Sequence, residues 1–166
     1  MRVNLKRAFY QAILLFVADV LSLSACTPGQ RAFLQVQFCV ANAQGVDLFK
    51  KTLQGIAHEE HMRYIDGSEA TTRDLKILRP AGKNMHTNGG LVYVGVDADG
   101  FGLEGGNLGL NLYDISVGFG PDTPAARAFS KRVVARLKQH WVLKVVPKDS
   151  GAFPNPECSQ GNGSAS

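Results

Sequence analysis

Between Arg31 and Ala41 the chain alternates: Leu34, Val36, Phe38 and Val40 fall on one parity, Gln35, Gln37 and Cys39 on the other. A period of two predicts a strand with one buried face. At Val46 the period lengthens. Val46, Phe49, Leu53, Ile56 and Ala57 recur at helical spacing up to about His61, with Lys50, Lys51 and Glu59 turned outward, so an amphipathic helix is predicted. Gly55 weakens that helix by about 1 kcal/mol relative to alanine.

From Met62 to Asn88 the pattern loosens. "DGSEATTRDLKIL" predicts a short helix begun at Asp66 or Ser68, and "RPAGKNMHTNGG" is turn chemistry throughout. Alternation returns at Val92, Val94 and Val96 and stops at "DADG", a hairpin turn. The stretch "GLEGGN" reads as a glycine-rich bend before a further strand. In that strand Leu108, Leu110 and Leu112 share one face, and Tyr113, Ile115, Val117 and Phe119 the other, so a bulge or break is expected near Leu112 and Tyr113. Thr123 followed by Pro124 is a helix start, and Ala126, Phe129, Val133, Leu137 and Trp141 continue it. A last strand, "VLKVVP", closes at Pro147, and residues 148–166 have the composition of a tail that stays disordered unless pinned. The order strand, helix, strand, strand, helix, strand predicts an α+β domain over 31–147. Its expected form is a ferredoxin-like sandwich, with two helices on one face of a four-stranded antiparallel sheet.

The residues before this domain are of another kind. Arg2, Lys6 and Arg7 precede the apolar run Ala12–Ala18, and small residues then lead to Leu23-Ser24-Ala25-Cys26. That is the order of a secretory signal, and the apolar run is shorter than the roughly 20 residues a permanent span requires. Leu23-Ser24-Ala25-Cys26 resembles the lipobox of bacterial lipoproteins, with Asp19 between the two apolar halves as a departure from the family pattern. The resemblance covers the first 26 positions and implies cleavage after residue 25, diacylglycerol on the Cys26 thiol and a short tether over 26–30. In that family an aspartate after the cysteine often retains the product at the inner membrane. Thr27 stands there, which implies an outer-membrane anchor with the domain facing the periplasm. An ordinary cleaved signal, or an uncleaved helix with an incidental cysteine, remains open on the residues alone.

This boundary changes the charge and the cysteine count. Arg2, Lys6 and Arg7 against Asp19 carry a net +2 of the chain's formal +4, so a nucleic-acid partner is not expected of the domain. With Cys26 lipidated, Cys39 and Cys158 remain in an oxidising compartment and are expected to pair, the other reading being two free thiols. The segment from Pro147 to Cys158 can extend over about 36 Å, against roughly 25 Å for the first strand. The bond would strap the tail across the sheet face that the helices leave open.

Motifs for chemistry are sparse. "HEEH" sets His58 and His61 three apart, with His86 as the nearest third ligand, but the zinc-protease helix requires four. A solvated helix end is the plainer reading. "DADGFG" starts like a calcium loop, yet Phe101 and Leu108 stand at its fifth and twelfth positions. The glycines fit no phosphate cradle, no serine lies in a nucleophile elbow, and no cofactor or metal is expected. The second long helix carries Arg127, Lys131, Arg132, Arg136 and Lys138 without an acid among them, a possible face for phospholipid, an anionic glycan or an acidic envelope protein. These readings favour a binding, accessory or scaffold module of the cell envelope. The alternative is a periplasmic hydrolase or metal-dependent enzyme using His58, His61 and His86.

Overall fold

The structure, a computed structural model, describes residues 32–78, 91–107 and 113–148 together with Asn155 and Cys158. Arg31–Ser166 forms one compact unit. Its described elements are β1 (Leu34–Cys39), α1 (Ala43–Glu59), β2 (Arg63–Asp66), α2 (Ser68–Leu78), β3 (Tyr93–Ala98), β4 (Phe101–Asn107), β5 (Asp114–Gly120), α3 (Pro124–Leu137) and β6 (Lys144–Val145). The class is α+β, as the alternating periods imply.

The sheet has six strands in the order β2-β3-β4-β5-β1-β6, every neighbouring pair antiparallel. This corrects the four-stranded ferredoxin-like expectation. β2 shows no apolar alternation in the sequence because Arg63 and Asp66 bound it and, of its four residues, only Tyr64 packs against the core. β4 is Phe101 with the "GLEGGN" stretch, whose glycines at 102, 105 and 106 remove side chains from both faces and so mask the alternation of a strand. Leu108, Leu110 and Leu112, with the bulge expected beside them, lie outside the described residues.

Register fixes the two faces. One row across the sheet is Asp66, Val94, Gly105, Val117, Val36 and Val145, and the next is Tyr64, Val96, Leu103, Phe119 and Leu34. Onto these rows α1 buries Phe49, Leu53, Ile56 and Ala57, while α3 buries Ala126, Phe129, Val133 and Leu137. Phe38 meets Phe49 edge-on at 5.7 Å and Trp141 in a stack at 5.0 Å, and Phe129 meets Phe101 edge-on at 5.7 Å. Trp141 follows α3 rather than belonging to it, since the helix ends at Leu137. The fit is close enough that Gly105 is required: a Cβ there would lie 3.0 Å from the Phe49 ring and 3.1 Å from Val117.

Local chemistry sets the ends of these elements. The Thr123 hydroxyl accepts the Ala126 N–H at 3.1 Å with Pro124 in the first turn, and Asn42 caps α1 by accepting the Gly45 N–H at 3.0 Å. Asp66 accepts the Ser68 N–H at 3.0 Å and so starts α2. The β3–β4 hairpin turns through Asp99-Gly100, where Gly100 supplies φ +86° without strain. On the outer edge Val146 donates its N–H to the Gln35 carbonyl at 2.9 Å, and the next residue is Pro147, which has no N–H to offer a further strand.

Candidate functional site

The second face of the sheet carries the candidate site. Its rows are Tyr93, Gly106, Ser116, Gln37 and Lys144; Ile65, Gly95, Glu104, Gly118 and Gln35; and Arg63, Asp97, Gly102 and Gly120. Asp114 and Cys39 form a further pair at the β1–β5 end. In composition this face is polar and glycine-rich, and the two long helices pack on the other one.

It divides into two halves. On β1 and β5, Gln37, Asp114 and Ser116 are buried although no long helix covers them. The tail returns to them: Cys39 and Cys158 form a disulfide with Cα atoms 5.1 Å apart, across a sequence separation of 119 residues. Asp114 accepts both contacts of the Gln37 side-chain amide, at 2.7 and 2.8 Å, and the Asn155 backbone N–H at 2.5 Å. Beside them the Gln35 amide donates to the Ser116 hydroxyl at 2.7 Å. The expected Cys39–Cys158 pairing is therefore present, and Asn155 lies beside it against this face; the rest of the expected strap, residues 149–154 and 156–157, lies outside the described residues.

On β2, β3 and β4 neither long helix lies over this face among the described residues. Ile65 and Tyr93 are 39% and 37% exposed, large for apolar side chains on a sheet, and they flank Gly95. Arg63 and Asp97 form a bidentate ion pair next to them, with Nε–Oδ1 at 2.9 Å. Burial raises the Tyr93 phenol above its ordinary range, and the neighbouring Glu104 carboxylate, which accepts its hydrogen bond, raises it further. On the helix side of β2, burial pushes the Tyr64 phenol up to about 12, with the Asp66 charge adding to the shift.

The basic helix is less free than its sequence suggests. Arg132 grips Glu60 through two contacts, at 2.5 and 2.7 Å, and Arg136 holds Glu59 at 2.7 and 3.0 Å, so α3 is clasped to the end of α1. Arg127 turns back to Asp122 at 2.6 and 2.9 Å. The acids that answer these cations come from other segments, which a search along the helix itself could not find. Among the described residues Lys131 and Lys138 have no ion-pair partner. Such exposed pairs, screened by water, contribute little to stability.

Several of the paired acids have lowered pKa values. For Glu60 and Asp97 the arginine hydrogen bonds dominate; for Asp66 burial opposes the shift, and the Ser68 and Lys50 contacts overcome it. A carboxylate with a folded pKa below its unfolded one stabilises the fold above the unfolded value. That contribution is lost as pH falls through the folded value. The urea midpoint is accordingly expected to hold from neutrality to about pH 5 and to fall progressively below it; a midpoint flat down to about pH 3 would show that these pairs contribute nothing.

His58 and His61 do not share a helical face. α1 ends at Glu59, and His61 takes φ +54°, donating its N–H to the His58 carbonyl at 3.3 Å while Met62 donates to Ala57 at 2.8 Å. This is a Schellman stop with histidine at the position glycine usually holds. The left-handed conformation costs a non-glycine residue about 1–2 kcal/mol. His61→Gly is expected to raise stability by about 0.5–1 kcal/mol in urea titration; a loss would mean that the imidazole makes an interaction worth more than the strain. His86 lies outside the described residues, and among the described residues no group of three or more His, Cys, Asp and Glu side chains could hold a metal ion.

No family model, curated protein or solved structure matches the chain. Among the described residues no helix is long and apolar enough to cross a membrane.

Proposed function

We propose that the chain is a lipid-anchored lipoprotein of the cell envelope, joined through Cys26 to the outer membrane, and that its domain works by binding as an accessory or scaffold. The observation that carries this reading is the cysteine pairing. Cys39 and Cys158 are joined to each other, which leaves the cysteine of Leu23-Ser24-Ala25-Cys26 as the one thiol outside the disulfide. A thiol left over in an oxidising compartment is a liability unless it is consumed, and thioether formation consumes it. Two or three acyl chains, at about 0.8 kcal/mol per buried CH₂, hold a small domain firmly.

For binding, the support is the half of the second sheet face on β2, β3 and β4. Exposed Ile65 and Tyr93 beside Gly95, within reach of Glu104 and the Arg63–Asp97 pair, give an apolar centre with a charged rim. An anionic partner such as a phospholipid or glycan meets Lys131 on α3 and Lys138 at its C-cap without displacing an existing ion pair. To reach Arg127, Arg132 or Arg136 it must compete with Asp122, Glu60 or Glu59.

Metabolic labelling with an alkyne analogue of palmitate tests the anchor. The wild-type chain is expected to take up label and partition into detergent, and Cys26→Ser to lose both while keeping the Cys39–Cys158 bond. Label on neither chain would overturn the reading.

A further inference from the structure

The disulfide is accompanied by a non-covalent device built from Asp114. This carboxylate is 5% exposed, and it faces Gln37 Nε2 at 2.7 and 2.8 Å and the Asn155 N–H at 2.5 Å. Asn155 in turn accepts the Cys158 N–H at 3.0 Å through its carbonyl, and its side-chain amide lies 3.8 Å from Cys39 Sγ. The chain there reads Pro154-Asn155-Pro156. Proline has no N–H, so Asn155 supplies the single backbone donor of the three residues, and it is spent on a charge.

Two physical terms follow. A hydrogen bond to an ionised acceptor is about twice as strong as a neutral one, and burial under the tail raises its worth. Prolines on both sides narrow the freedom of the undocked tail, which lowers the entropy lost on docking. Both terms exist before any sulfur–sulfur bond forms.

We propose that Asp114 is a positioning residue that docks the tail through Asn155 independently of the disulfide, so that Cys158 is presented to Cys39 before the bond forms and stays there after it is reduced. This inference does not depend on the lipoprotein reading. With glutathione disulfide as oxidant, one protein thiolate attacks it and expels a glutathione thiolate, leaving a mixed disulfide. The second protein thiolate then attacks the protein sulfur and expels the other glutathione. Two electrons pass from the protein dithiol to the glutathione disulfide, and the two thiol protons end on the released glutathiones.

The test uses the full chain equilibrated in mixtures of glutathione and its disulfide. The Cys39–Cys158 bond is followed by acid quench, alkylation and peptide mass, which gives the effective concentration of the two thiols. Asp114→Ala and Asn155→Pro are each expected to lower it about 10- to 100-fold, and Ser116→Ala on the same face to leave it within about twofold. In the reduced wild type the Cys158 amide is expected to exchange slowly with deuterated solvent, and in both variants at the rate of an open chain. Asn155→Pro alters the tail and not the sheet, so it decides the matter if Asp114→Ala does not fold. Unchanged effective concentrations in the variants that fold, or open-chain exchange at Cys158 in the reduced wild type, would overturn the proposal.

Discussion

Replacing Cys39 and Cys158 together with alanine is expected to lower stability by about 3–5 kcal/mol and the melting temperature by on the order of 15 °C. The bond closes a sequence separation of 119 residues, which spans every described element after β1. In the chain-entropy account, a loop of that length removes about 5 kcal/mol of freedom from the unfolded ensemble. The latch formed by Asp114 and Asn155 retains part of the native tail contacts, so the observed loss should fall at or below that figure. Thermal unfolding of the double variant, compared with non-reduced wild type, measures it. A shift of under about 3 °C would mean that the unfolded chain is already compact around this pair.

Gly106→Ala is the second large effect, with an expected cost of about 3 kcal/mol or failure to accumulate as folded protein. An alanine Cβ there would lie 2.1 Å from the Val92 carbonyl oxygen and 3.0 Å from its carbon. Backbone atoms have no alternative rotamer, so relief would require β3 and β4 to separate. That separation is resisted at the same place, because the Asn107 side chain accepts the Val92 N–H at 2.9 Å. Gly55 is the internal comparison. A Cβ there meets nothing within 4 Å, so Gly55→Ala should stabilise α1 by up to about 1 kcal/mol while Gly106→Ala destabilises the sheet. Urea titration of the pair of variants distinguishes steric cost from a general effect of glycine replacement.

Much of this fold was legible as periodicity. β1, the long helices and β3 follow from apolar spacing, and the start of α3 follows from a hydroxyl followed by proline, a local signal that needs no tertiary partner. β4 was illegible for a chemical reason: glycine leaves no side chain whose alternation could be seen, although Leu103 does face the core. β2 was missed because its charges are satisfied at a distance, Arg63 by Asp97 across the β2–β3 pair and Asp66 by Lys50 from α1. The same distance effect altered the reading of α3. Its cations look unanswered along the helix and are answered by Glu59, Glu60 and Asp122 in space. The Cys39–Cys158 pairing follows from the cysteine count and chain length. The tail's second attachment, at Asp114, had a weak signal in Pro154-Asn155-Pro156, a single backbone donor between two residues that have none.

The tail's attachment also gives the domain a direction. The chain comes into β1 at Leu34, and Cys158 is fixed to Cys39 at the strand's other end, about 17 Å away at strand rise. Leu34 and Cys158 thus mark opposite ends of the same strand. An epitope inserted directly before Leu34 and one inserted directly after Cys158 would therefore start from opposite ends of β1.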